Sequence, residues 1–154
     1  MGFEEPVTAL RFLRGHETVS TDLLNTLVTS AIWRAEQLEE HGIDSASLAW
    51  AEVSALEEEL AKALPVSQPE GRIARRGAVR AALKAGDFPR AQALAESYLA
   101  EKDATRTLRA SLRQLLEEDA RTLADRFRHA AKAVDDVRGL ARWLHEGGAF
   151  GLAA

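Results

Sequence analysis

The stretch LEEDARTLADRFRHAAKAVDDVRGLARWL, residues 116–144, decides how the whole chain is read. Its apolar and small residues fall at Leu116, Ala120, Leu123, Phe127, Ala130, Val134, Val137, Ala141 and Leu144, with spacings that alternate four and three throughout. A strand would alternate at every second residue, and an ordinary amphipathic helix would drift along a 3.6-residue period. An unbroken four-three alternation averages 3.5 residues, the period at which a helix keeps one seam facing another helix. The pattern predicts a long helix from about Thr105 to Glu146, spanning on the order of 60 Å at 1.5 Å per residue. It either continues through Gly139, where a helix interior is weakened by about 1 kcal/mol relative to Ala, or breaks there.

Working back from that helix, the same period recurs between clear stop signals. Asp87 can cap a helix with Pro89 in its first turn and Leu94, Ala95, Tyr98 and Leu99 on one side. Before it, a helix with Ile73, Ala74, Val79, Ala82 and Leu83 inward ends at Gly86, and Ser67 to Glu70 has capping-box spacing at its start. With only Gly86 and Asp87 separating them, these two helices are expected to fold back as a hairpin. Another helix starts near Asp44 or Ser45, carries Leu48, Ala51, Ala55, Leu56 and Leu60 with Trp50 widening the face, and stops before Pro65. Its run Glu57-Glu58-Glu59 reads as a solvated face. Ser20 or Thr21 caps a core helix bearing Leu23, Leu24, Leu27, Val28, Ala31, Ile32, Ala35 and Leu38 that ends at Gly42, and a short helix is expected from Pro6 to Arg14. The expected fold is all-α with about six helices: an N-terminal bundle (1–64), a central hairpin (67–101), a long heptad-patterned helix (104–146) lying across both, and a tail (147–154), in a single domain.

Composition narrows the chemistry. The 154 residues are 46% hydrophobic, enough to bury a core without staples. There is no cysteine, so disulfides, thiolate nucleophiles and Cys-based zinc sites are excluded. A net charge of −4 gives no overall attraction to nucleic acid. No stretch reaches the roughly 18 apolar residues of a membrane span, and the acidic start Met1-Gly2-Phe3-Glu4-Glu5-Pro6 lacks the apolar core of a signal peptide. A cytoplasmic protein is expected, and the excess of Arg over Lys with abundant Ala is that of a GC-rich bacterial genome. Neither a phosphate loop nor a nucleophile elbow is present.

Three local patterns carry candidate functions. Ala85-Gly86-Asp87-Phe88-Pro89-Arg90-Ala91 with Tyr98-Leu99 resembles the turn and second helix of a tetratricopeptide repeat. The likeness covers about half a unit, and no second copy follows at the repeat's period of about 34 residues. His129-Ala130-Ala131-Lys132 is similar to the signature of histidine phosphotransfer domains, which are also helical bundles. That resemblance implies phosphoryl acceptance at His129 with Lys132 offsetting the charge, although Ala133 stands where the family has glycine. The ending Leu152-Ala153-Ala154 resembles the bacterial tmRNA-encoded degradation tag. Separately, Arg72, Arg76 and Arg80 line up one turn apart and could follow phosphates, though without aromatics for base stacking. His16, His41 and His145 make no ligand pair, so neither a metal nor another cofactor is expected. The residues together point to a non-enzymatic interaction, assembly or regulatory module. It is expected to self-associate through Leu116, Leu123, Phe127, Val134, Val137 and Leu144, or to bind a protein partner, with no membrane or small-molecule substrate. Phosphotransfer through His129 is the alternative, and nucleic-acid-associated regulation through the arginines a weaker one.

Overall fold

The computed structural model describes residues 20–146. Among them every regular element is helical: α1 (Thr21–Glu40), α2 (Ala46–Ala63), α3 (Pro69–Lys84), α4 (Phe88–Leu99) and α5 (Arg106–His145). The helix expected over Pro6–Arg14 and the tail from Gly147, with its Leu152-Ala153-Ala154 ending, lie outside the described residues. Contacts divide the chain into two units, the first ending at Leu116 and the second beginning at Glu117.

The helix ends follow local chemistry. The Ser20 side chain accepts from the Leu23 amide at 3.2 Å, Asp87 from the Arg90 amide at 3.1 Å, and Thr105 from the Leu108 amide at 3.2 Å. Each satisfies a first-turn donor that has no intrahelical partner. Gly42 and Gly86 close α1 and α3 at φ of +63° and +76°, where a side chain would be strained. The expected Ser67–Glu70 capping box does not form. Gln68 is the residue before α3, with no side-chain cap, and Pro69 opens the helix.

In the first unit each helix packs on the next: α1 on α2, α2 on α3 and α3 on α4. The core is therefore continuous from α1 to α4, because α2 packs on both of its neighbours, and α3 and α4 pack on each other as the expected hairpin. Leu24 and Val28 of α1, Val53 and Leu56 of α2, and Leu94 of α4 meet in that core. The contribution of α3 is Ala74, Ala78, Val79, Ala81 and Ala82, all essentially inaccessible, and these small side chains let neighbouring helices approach closely. Leu108 and Leu112 from the start of α5 complete the core. Gly71 marks the tightest approach: a Cβ there would lie 2.1 Å from the carbonyl oxygen of Pro65.

Four expectations about faces are corrected. Leu23, Leu48 and Ile73, read as inward, are exposed. On α2 the buried row is Ala49, Val53, Leu56 and Leu60, and Leu48 sits one residue, about 100°, off it. Ile73 stands in the same relation to Ala74 on α3. The Glu57-Glu58-Glu59 run is not a solvated face: Glu57 is buried, Glu58 is half-buried, and only Glu59 is exposed.

The second unit, as far as it is described, is the rest of α5. The helix passes Gly139 without a break, and that glycine has open space around it. Pairs one turn apart, Glu117–Arg121, Asp125–Arg128, Lys132–Asp136 and Asp135–Arg138, follow one another along the surface. Each such pair adds only a few tenths of a kcal/mol to an exposed helix. From Ala120 to Glu146 every side chain is exposed except the half-buried Leu123. The fully buried residues of α5 are Leu108 and Leu112, both in its first turns.

Candidate functional site

The residues of the α5 seam separate into two environments. Leu116 is partly buried against the core of the first unit. Beyond it, Phe127 is 68% exposed, Val134 50%, Val137 66% and Leu144 55%. Leu140 and Trp143, which a heptad count passes over, are also exposed and widen the apolar surface near the helix end. The signal for them was present in the sequence: Val137, Leu140 and Leu144 are three and four residues apart and share one face. Single exposed apolar side chains are common on protein surfaces, whereas these five, Phe127, Val134, Val137, Leu140 and Leu144, follow one another along one helix.

His129 lies on the same helix and is exposed. Its Nδ1 is 2.7 Å from the carbonyl oxygen of Asp125. The Asp125 carboxylate instead pairs with Arg128. Lys132 does not turn toward the imidazole, because its Nζ donates to Asp136 at 2.9 Å. The structure thus places His129 and Lys132 one turn apart but commits the lysine to a different neighbour.

The three aligned arginines of α3 are not equivalent. Arg72 donates to the carbonyl oxygens of Val66 and Ser67 at 3.2 and 2.7 Å, closing the turn after α2. Arg76 donates to the Ser111 hydroxyl at 2.7 Å and fastens α3 to the start of α5. Arg72 and Arg76 line a shallow depression of about 240 Å³ with Ile73, Thr105 and Ser111. Arg80 is exposed.

The most engaged cation is one the arginine pattern did not single out. Arg75 is buried, shares its Nε with both Glu101 oxygens at 2.9 Å, and donates to the carbonyls of Leu64 and Gly71 at 3.0 and 2.8 Å. Its guanidinium stands 5.7 Å from the centre of the Tyr98 ring. Burial and the nearby Glu58 charge push the Tyr98 hydroxyl up to about 12, although Arg75 acts the other way. Arg90 joins the Ser54 hydroxyl at 3.2 Å to the Glu58 carboxylate at 2.5 Å, while Ser54 itself donates to the Ala78 carbonyl. Arg34 pairs with the buried carboxylate of Glu52. These charges are framework: each joins two segments of the first unit through hydrogen bonds that a buried ion requires.

Glu57 is the exception, a buried carboxyl with neither a hydrogen bond nor an ion pair among the described residues. Burial raises it to about 7. A shifted carboxyl in a cleft would be a candidate acid or base, but this one is buried and rests against Gly77. A depression of about 690 Å³ between α1 and α2 is lined by Leu27, Trp33, Arg34, Glu52 and Leu56, and the Arg34–Glu52 pair lies on its polar side.

Among the described residues there is no group of three acidic, His or Cys side chains able to hold a metal ion, and no helix long and apolar enough to cross a membrane. Compared with family models, with curated proteins and with solved structures, the chain matches none.

Proposed function

We propose that this chain is a non-enzymatic assembly module that self-associates through the exposed seam of α5, as an assembly or regulatory component of the cytoplasm. One observation carries the reading: a helix that passes unbroken through Gly139 holds Phe127, Val134, Val137, Leu140 and Leu144 in water on one side. At roughly 25 cal/mol per Å², covering such side chains against another helix is favourable by several kcal/mol before association costs. The seam residues follow a coiled-coil period, so the surface fits a second helix of matching period better than a flat or concave partner.

The test is the mass in solution. Light scattering or sedimentation equilibrium should give more than the 16.8 kDa of one chain. Phe127→Asp should bring it back to one chain, because the introduced charge would have to be desolvated in the seam. A monomeric wild-type protein at high micromolar concentration overturns the reading.

The exposure of His129 favours a second reading, phosphotransfer, in which the imidazole accepts a phosphoryl group and Lys132 leaves Asp136 to offset its charge. It ranks below assembly because it leaves the apolar row without a role. Recognition of nucleic acid by the arginines of α3 ranks lower still, since Arg72 and Arg76 already hold intrachain partners.

A further inference from the structure

The order of side chains along the seam carries information about how two copies would pair. Between residues 120 and 144 the seam reads Ala120, Leu123, Phe127, Ala130, Val134, Val137, Ala141, Leu144. We infer that two copies of this chain pair antiparallel along this segment, about a two-fold axis at the level of residue 132. This inference rests on the self-association proposed above and adds its direction and register.

Antiparallel pairing sets each residue against the one whose number brings the sum to about 264. The layers are then Ala120 with Leu144, Leu123 with Ala141, Phe127 with Val137, and Ala130 with Val134, each occurring twice by symmetry. Every layer joins a smaller side chain to a larger one. Two helices at a constant separation of roughly 8–10 Å require layers of similar volume, which this register supplies. Parallel pairing would set Phe127 on Phe127 and Leu144 on Leu144 while leaving Ala120, Ala130 and Ala141 each facing itself. Such a seam alternates crowded layers with voids, and both are costly in a close-packed interface.

The flanking positions agree. Those beside the seam nearest the axis are Ala131 and Ala133, small enough to leave the approach open, with Arg126 and Arg138 next on either side. Antiparallel pairing brings Glu117 of one copy beside His145 of the second, and lays the exposed Leu140 along the aliphatic stem of Arg126. In the parallel arrangement the flanking pairs are Asp119 with Ala124, Arg126 with Ala131, Ala133 with Arg138 and Leu140 with His145, which include no opposite charges. Gly139 falls on the outward side of the helix in this register, consistent with the open space around it.

The absence of cysteine makes the test clean. In the full-length protein, Ala120→Cys and Leu144→Cys, each oxidised alone, should stay uncrosslinked. An equimolar mixture should give a disulfide-linked species of twice 16.8 kDa. Should either substitution disturb the seam, a nitroxide on the exposed Arg142→Cys supplies the second measurement. Two labels in the antiparallel pair should lie more than about 30 Å apart, from twice ten residues at 1.5 Å each. Crosslinking of Leu144→Cys with itself, or labels within about 20 Å, shows a parallel pair: self-association then stands and the antiparallel register falls. A wild-type mass of one chain overturns both.

Discussion

The carboxyl group of Glu57 lies directly over Gly77: a methyl group at that glycine would come within 2.4 Å of Oε1. The pairing of a buried acid with a residue that has no side chain leaves Glu57 space without a partner. A pH dependence follows. Burial raises Glu57 from 4.5 to about 7, so the folded chain binds a proton that the unfolded chain releases between those values. Its contribution to stability is fully present below about pH 4.5 and is lost as pH rises toward 7. The loss is at most about 3 kcal/mol, from 1.36 kcal/mol per unit. Glu58 works in the opposite sense: despite its burial, Arg90 and Lys62 hold it below its ordinary value, so its contribution fades at acid pH. Urea unfolding at pH 5 and pH 8 should show the wild type losing stability on going to pH 8, and Glu57→Gln losing less. Equal losses in the two proteins would remove Glu57 as the source.

Gly71→Ala should destabilise the first unit by about 1–3 kcal/mol, the usual cost of overpacking. The obstacle is the Pro65 carbonyl, which is backbone and cannot rotate away, and the displacement has to be taken up by the α2–α3 connection. Thermal unfolding monitored by circular dichroism checks this. A gain in melting temperature, as expected from helix propensity alone, would show that the close approach relaxes freely.

Replacing Arg75 with Leu should cost about 3–5 kcal/mol, because it strands the Glu101 carboxylate and the carbonyls of Leu64 and Gly71. Arg75→Lys should recover only part of this, since an ammonium group cannot reach carboxylate and carbonyls with one planar fork. Denaturant midpoints of the three proteins give the comparison, and a fully stable Lys variant would contradict the geometric argument.

Two substitutions on the same helix should separate stability from assembly. Leu112 is inaccessible, so Leu112→Ala should lower unfolding free energy by about 2–5 kcal/mol. Phe127 is exposed within its chain, so Phe127→Asp should change the mass in solution while the core around Leu56 and Val79 keeps its protection from hydrogen exchange. Global loss of protection in Phe127→Asp would mean that the core depends on association.

Incubation with acetyl phosphate should leave no acid-labile phosphate on the protein. Lys132 is tied to Asp136, and the His129 Nδ1 is already engaged with the Asp125 carbonyl. Labelling that disappears in His129→Gln would reverse the order of the two functional readings.

Much of the architecture was legible along the chain. Ser20, Asp87, Gly42 and Gly86 end helices by interactions within a few residues, and those signals survive any tertiary arrangement. The continuity of α5 at Gly139 was left open, and the structure shows an unbroken helix. The faces were read less well. Leu48 and Ile73 are apolar yet exposed, while Glu57 and Arg75 are charged yet buried, because hydrophobicity at one position does not reveal which side of a helix its neighbours cover. Glu57 stands seven residues after Trp50 and four after Val53, on the same buried face, and that spacing outweighs the acidic run around it. Leu140 and Trp143 were overlooked because a strict heptad records only the centre of a seam.

What the sequence determined by itself was local and periodic: helices, their ends, and the four-three seam of α5, all set by interactions within one or two turns. Only the tertiary structure decided which residues share the core, that Arg75 joins Glu101 to the end of α2, and that Glu57 is enclosed against Gly77. It also decided where burial along the seam gives way to exposure, with Leu116 partly covered and Phe127 open to water. Burial depends on partners distant in the chain, and a helix with apolar residues on several sides offers more than one face to cover. The choice among those faces is made by the close approach that small residues such as Gly71 and Ala78 permit, a steric fact that a hydrophobic pattern does not contain.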